Sequence, residues 1–199
     1  MTKLLVDPVN IQCGGKVFQV SGSSFFQTNT RQAEVLLQVV EKFLRLDPSS
    51  GKVLVDLFSG VGLFSLAFAD SFEHVYGIES SLSAVSDARC NSEAQGVDNV
   101  SWIAGRAEDE FASLAAGLLG LDTIIIDPPR QGCERRLLMQ LAASQARKII
   151  YVSCDLATLC RDLQILAAGG FQTLAVQPLD MFPHTYHIEC LALLIKNSP

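Results

Sequence analysis

From Lys52 onward, short strand-like apolar runs alternate with helix-length amphipathic segments. Such alternation is the signature of a parallel sheet covered on both faces by helices, because strands buried on two sides lose the every-other-residue polar pattern. The pattern predicts strands over Val53 to Phe58, His74 to Glu79, Val100 to Ala104, Thr123 to Asp127, Lys148 to Ser153, Thr173 to Pro178 and Glu189 to Lys196. Helices are expected over about Gly62 to Ser71, Leu82 to Gln95, Glu108 to Leu119, Glu134 to Ser144 and Asp155 to Ala168. No helix separates the last two strands, which predicts that they pair antiparallel.

The first 50 residues read differently. A turn at Gly14-Gly15 lies between two extended stretches, and a helix follows from about Thr30 to Leu46, ending before Asp47-Pro48-Ser49-Ser50-Gly51. Residues 1–50 are expected to form an attached entrance segment on a single compact unit spanning 51–199.

Composition narrows the class. With 199 residues, 49% hydrophobic and 18% charged, the chain suits one well-filled core without long disordered tracts. Its apolar runs fall far short of the roughly 20 residues that span a bilayer, and Met1 to Leu5 does not read as a signal peptide, so a soluble, cytoplasmic protein is expected. The net charge of -6 argues against a broadly basic nucleic-acid surface. Six cysteines, at 13, 90, 133, 154, 160 and 190, include no C-x-x-C pair, so local spacing builds neither a zinc nor an iron-sulfur site. Mostly buried, reduced thiols are expected for all of them except Cys154.

Chemistry gathers at the C-terminal ends of the strands, where open α/β sheets bind ligands. In "VLVDLFSGVGLFSLAFA", Gly60 and Gly62 let the backbone turn sharply and approach a ligand. The dinucleotide pattern would need a third glycine at Ser65, and Asp56 beside the loop would repel a pyrophosphate but suit a cationic ligand. Glu79 ends the second strand, where an acid can accept both hydroxyls of a ribose. Acid, glycine loop and ribose-binding acid together describe a site for S-adenosyl-L-methionine, although a tight turn in any doubly wound fold would also use these glycines. "IIIDPPRQG" holds Asp127 rigidly at the end of the fourth strand and offers Arg130 to an anion or base, although Asp-Pro is also a common strand terminator. Cys154 ends the fifth strand on the same edge, at a helix start whose dipole would favour the thiolate.

Five segments, "SGSSFFQTNTRQAE", "DLFSGVGLFSLAFA", "IIIDPPRQG", "YVSCDLATLCRDL" and "FPHTYHIECLALL", in this order, resemble the catalytic domain of RNA uridine-C5 methyltransferases. Those enzymes use S-adenosyl-L-methionine to make 5-methyluridine in tRNA and large-subunit rRNA. The resemblance implies the class I methyltransferase fold, a Rossmann-like seven-stranded sheet with its last strand antiparallel. It makes Cys154 the nucleophile that adds to C6 of uracil and Glu189 the base that removes the C5 proton. It places Gln27, Phe58, Glu79 and Asp127 on the cofactor, joining Asp56, Gly60 and Gly62, and calls for no metal. Leu63 departs from the family, many members of which carry asparagine there, and Ser59 replaces the commoner cysteine.

Relatives typically carry an RNA-binding barrel ahead of this half, so the chain is expected to be an excised domain or a short homologue. The uridine must be unstacked to reach Cys154, and Phe25, Phe26 and Tyr186 are candidates to stack on it. His184 and His187 are expected to be structural or RNA-facing. Three alternatives remain at this point: an exocyclic-amine methyltransferase, an RNA cytosine-C5 methyltransferase, and a cofactor-binding module without activity of its own.

Overall fold

The computed structural model describes residues 7–46, 52–185 and 188–196. β3 (Val53–Leu57) and β7 (Lys148–Ser153) are buried at every position, as strands between two helical layers must be. With them, β4 (His74–Glu79), β5 (Val100–Ala104), β6 (Leu121–Ile126), β8 (Phe171–Leu179) and β9 (Glu189–Lys196) form a seven-stranded sheet in the order β5-β4-β3-β6-β7-β9-β8. β9 runs antiparallel to β8, as the helix-free connection between them predicts, and also antiparallel to β7.

The side chains of each strand divide by period two. Leu54, Ile125, Ile150 and Val152 face a core shared with α1 (Thr30–Leu46) and α2 (Leu63–Phe68), which Ala84 of α3 (Leu82–Gln95) joins. Val55, Ile124, Ile126 and Tyr151 face a second core shared with α4 (Ala107–Gly117), α5 (Arg135–Ala143) and α6 (Leu156–Ala168). Boundaries differ from expectation by a few residues. The helix after β3 stops at Phe68 and tightens into a 3-10 turn over Ala69–Ser71, and α4 ends at Gly117.

β1 (Val9–Cys13) and β2 (Lys16–Val20) form a hairpin, closed by Gly14 and Gly15 at φ 59° and 75°, the positive values that a tight two-residue turn needs. Asn91 of α3 grips this hairpin, accepting from the Gln19 N–H at 2.7 Å and donating to the Gln19 carbonyl at 3.1 Å. Asp87 accepts from the backbone N–H and hydroxyl of Ser21 at 2.8 and 2.7 Å. Cys13, Phe18 and Val20 join the same core as α1 and α2. The expected Asp47 to Gly51 linker lies outside the described residues.

β3 leads to β4 on one side of the sheet, whereas β6 and β7 lie on the other. The crevice at this reversal, beyond the C-terminal strand ends, is where the open α/β architecture binds ligands.

Candidate active site

A cleft of about 650 Å³ opens at that crevice. Its apolar walls include Phe25, Phe58, Pro128, Pro129 and Phe182, and its polar groups include Gln27, Glu79, Glu108, Asp127, Cys154 and Glu189. Five carboxyl groups around one cleft, Glu134 being the fifth, disfavour a phosphate ligand and favour one that carries positive charge and hydroxyls.

The loop after β3 forms part of its floor. Phe58 lies at φ 61°, a left-handed conformation that costs a bulky residue about 1 kcal/mol or more. Gly60, at φ 53°, lines the cleft, and a Cβ built there would meet only the Phe25 carbonyl oxygen, at 3.9 Å, so the missing side chain leaves room for a ligand. Asp56 and Gly62 do not line the cleft. A Cβ on Gly62 would come within 2.6 Å of the Trp102 ring. Asp56 is fully buried beneath the loop and accepts from the Ser65 N–H at 3.0 Å and the Ser65 hydroxyl at 2.6 Å. Ser65, which breaks the dinucleotide pattern, therefore secures Asp56 to the first turn of α2. Burial pushes the Asp56 carboxyl up to about 7 against these two hydrogen bonds. Its Oδ1 and the hydroxyl of Ser59 are buried without a partner.

Glu79, at the end of β4, accepts from the Gly60 N–H at 3.0 Å and the Ser81 N–H at 2.7 Å. Beyond β5, Arg106 and Glu108 also line the cleft, a pair that the sequence reading did not single out. Arg106 Nε lies 3.5 Å from Glu108 Oε2, and its Nη2 donates to Glu134 Oε1 at 2.5 Å. Their position just past a strand on the ligand-binding edge was the available signal.

Asp127 follows β6 and accepts from Gln27 Nε2 at 3.4 Å, which carries the segment before α1 to the cleft. Burial and then the nearby charges of Glu189 and Asp56 push the Asp127 carboxyl up to about 8. Arg130 stands at the mouth, its Nε 3.8 Å from Asp155 Oδ2.

The β7–β9 ladder ends with Ser153 opposite Cys190. Cys154 follows Ser153 and Glu189 precedes Cys190 just past the end of this ladder, both line the cleft, and the Glu189 charge acts on the Cys154 thiol. Glu189 is buried, which raises its carboxyl above the ordinary range. The expectation that the helix start favours the Cys154 thiolate does not hold. Burial and then Glu189 and Asp127 push this thiol up, outweighing Arg130. The cap position of α6 belongs to Asp155, which accepts from the Thr158 N–H at 3.0 Å.

Other expectations need correction. Cys90 and Cys160 are exposed, not buried. Phe26 is packed against Phe18, with ring centroids 5.5 Å apart, and is not free to stack on a base, whereas Phe25 is 69% exposed at the cleft. His184 sits exposed in a left-handed turn at φ 70°, and Tyr186 and His187 lie outside the described residues.

Residues 3–197 match the sequence profile of the tRNA (Uracil-5-)-methyltransferase family. The chain belongs to this family. A tRNA (uracil-54, C5)-methyltransferase from Pyrococcus abyssi, solved in complex with S-adenosyl-L-homocysteine, superposes with a TM-score of 0.81 at 32% identity, covering 96% of this chain and 45% of that one. Among sequence relatives, an uncharacterized RNA methyltransferase of Caldanaerobacter subterraneus subsp. tengcongensis is 39% identical over 203 residues, 97% of this chain and 44% of its own length. Another, from Oceanobacillus iheyensis, is 41% identical over 186 residues, 93% of this chain and 40% of its own. The chain thus spans less than half the length of these curated relatives. A precorrin-6y C5,15-methyltransferase from Geobacter metallireducens shares the fold alone, at a TM-score of 0.69 and 15% identity. Strand order and structural neighbours together make this the class I S-adenosylmethionine-dependent methyltransferase fold. Among the described residues, no helix is long and apolar enough to cross a membrane, and no group of three or more His, Cys, Asp or Glu could hold a metal ion.

Proposed function

We propose that this chain of the tRNA (uracil-5-)-methyltransferase family binds S-adenosyl-L-methionine and carries the chemistry that converts uridine to 5-methyluridine in tRNA or rRNA, with Cys154 as nucleophile and Glu189 as general base. The observation that supports the reading is that Cys154 and Glu189 line one cleft, each next to the last β7–β9 pair, close enough for the Glu189 charge to act on the thiol. A thiol and a carboxyl so arranged can reach C6 and C5 of one pyrimidine ring.

S-adenosyl-L-methionine, bound in this cleft, supplies an electrophilic methyl group and a positive charge. The lining supports this: Glu79 can take ribose hydroxyls, Gly60 leaves its side of the cleft open, and Asp127 and Gln27 offer a carboxyl and an amide to the amino-acid end or the sulfonium. A positive charge beside Asp127 and Glu189 offsets the repulsion that, after burial, pushes the Cys154 thiol up.

Uracil C5 is a poor nucleophile on its own. Once the Cys154 thiol has given its proton to solvent, bond formation between the thiolate sulfur and C6 pushes the C5–C6 π electrons toward C5 and the O4 enolate, making C5 reactive. Once C5 is methylated, Glu189 takes the C5 proton, the double bond returns, and the sulfur leaves as thiolate. The raised carboxyl of Glu189 makes it a stronger base than a solvated glutamate, and its burial keeps water from competing for the proton. Phe25, exposed at the rim, offers an aromatic face to an unstacked base.

The test uses 5-fluorouridine-substituted RNA with S-adenosyl-L-methionine, because fluorine at C5 cannot leave as a proton. Intact mass should show a covalent RNA–protein adduct for wild type and none for Cys154→Ala. Absence of adduct in a protein that binds S-adenosyl-L-homocysteine by calorimetry would remove the reading.

A further inference from the structure

The wall of the cleft from Arg130 to Gly132 is held from behind by three side chains of α6. The Thr158 hydroxyl donates to the Arg130 carbonyl at 3.3 Å. Arg161 Nη2 donates to the carbonyls of Gln131 and Cys133 at 3.0 and 3.3 Å. Asp162 Oδ2 accepts from the Cys133 N–H at 2.9 Å, and its Oδ1 accepts from Arg161 Nε at 2.8 Å. The clamp closes tightly because position 132 is glycine. Gly132 has φ 73°, and a Cβ there would lie 2.7 Å from both Arg161 Nη2 and Asp162 Oδ2.

The same carboxylate also reaches β7 from within the core. The Tyr151 hydroxyl, three residues before Cys154 on β7, donates to Asp162 Oδ2 at 2.5 Å. Asp162 is fully buried and no part of the cleft lining. One group therefore grips the wall loop, the strand that leads to Cys154, and, through its own backbone, the helix that starts just after it. A carboxylate withdrawn from water is expensive to maintain, and apolar packing would hold a loop at lower cost.

We propose that Asp162 is a positioning residue that, together with Arg161, sets the Arg130 to Gly132 wall against the Cys154 sulfur and so fixes where C6 of a bound pyrimidine meets the thiol. The link to a pyrimidine rests on the uridine reading above. The placement of the sulfur against the wall does not.

Two readouts on Asp162→Asn separate these claims. Adduct formation with 5-fluorouridine RNA at saturating S-adenosyl-L-methionine should slow about tenfold or more, since a misplacement of about 1 Å costs up to about a hundredfold, while S-adenosyl-L-homocysteine affinity stays within about threefold. Iodoacetamide should alkylate Cys154 about threefold faster relative to exposed Cys160 and Cys90, because a loosened wall uncovers the sulfur. Opposite movement of adduct rate and alkylation is the signature of lost positioning. Unchanged adduct rate and alkylation ratio in the folded variant would overturn the proposal, and so would parallel loss of cofactor affinity and adduct rate. If the wild type forms no adduct, the uridine reading fails and the alkylation ratio alone judges Asp162. Should Asp162→Asn not fold, Arg161→Gln, which removes two loop contacts from a half-exposed position, takes the same two tests, and failure of both variants to fold would assign the pair to the fold instead.

Discussion

The Gly60 N–H donates to the Glu79 carboxylate at 3.0 Å, so the acid that ends β4 orients the loop that follows β3. The carboxylate keeps acceptor capacity for ligand hydroxyls, so Glu79→Ala removes both the loop anchor and those contacts. S-adenosyl-L-homocysteine affinity should fall about tenfold or more, the worth of one to two hydrogen bonds to a charged group. Glu79→Gln, which keeps one acceptor for Gly60, should lose less. Equal affinity for all three proteins by calorimetry would exclude Glu79 from the binding site.

Gly77 of β4 lies under the Trp102 ring, where a built Cβ would come within 2.3 Å of Cζ3. Trp102 cannot simply swing away, because its indole N–H donates to the Ser92 hydroxyl at 2.9 Å. Gly77→Ala should therefore cost about 1–3 kcal/mol in urea unfolding. Adding Trp102→Leu should recover part of that loss, since residues in contact are not additive. A Gly77→Ala protein as stable as wild type would mean that this part of the sheet repacks freely.

The fold was legible because burial on both faces writes itself into β3, β6 and β7 as short apolar runs without alternation, and because Gly14-Gly15 and the helix-free connection before Glu189 have local explanations. That Cys154, Glu79 and Asp127 would line one cleft was legible from their positions at strand ends, and Glu189 from its motif. Depth was not legible. Whether Asp56 lies in the cleft or under it depends on Ser65, nine residues away, and the state of the Cys154 thiol depends on carboxyl groups brought in from β6 and β9. Nor could spacing reveal Asp162, whose partners come from Tyr151 and the Cys133 backbone once α6 has packed on the sheet.

Separate roles for Cys154 and Glu189 in one cleft imply that addition and proton removal can be separated by substitution. With ordinary uridine RNA, Glu189→Gln should allow the sulfur to add and C5 to be methylated, and then stall, because no group removes the C5 proton. The covalent RNA–protein species should accumulate in denaturing gels with Glu189→Gln and remain scarce with wild type. Release of 5-methyluridine by Glu189→Gln at the wild-type rate would assign the base elsewhere.

Asp127 and Asp56 bear on pH dependence, and the sign follows from their direction of shift. Both carboxyls have an ordinary value of 3.8 and are pushed up, to about 8 and about 7. The unfolded chain thus loses these two protons at lower pH than the folded one. Their contribution to stability is full below about pH 4 and is lost as pH rises through about 7 and then about 8. The melting temperature of the ligand-free protein should fall across that window. Asp127→Asn, whose amide cannot ionise, should flatten the fall, so that the variant gains on wild type between about pH 5 and about pH 8.5. A cationic ligand beside Asp127 favours the ionised carboxylate, so S-adenosyl-L-methionine should release protons on binding near pH 7.5, read as a dependence of calorimetric enthalpy on the buffer's ionisation heat. Asp127→Asn should reduce that dependence. Parallel melting curves for the two proteins, with no proton release by either, would mean that Asp127 is already ionised in the empty cleft.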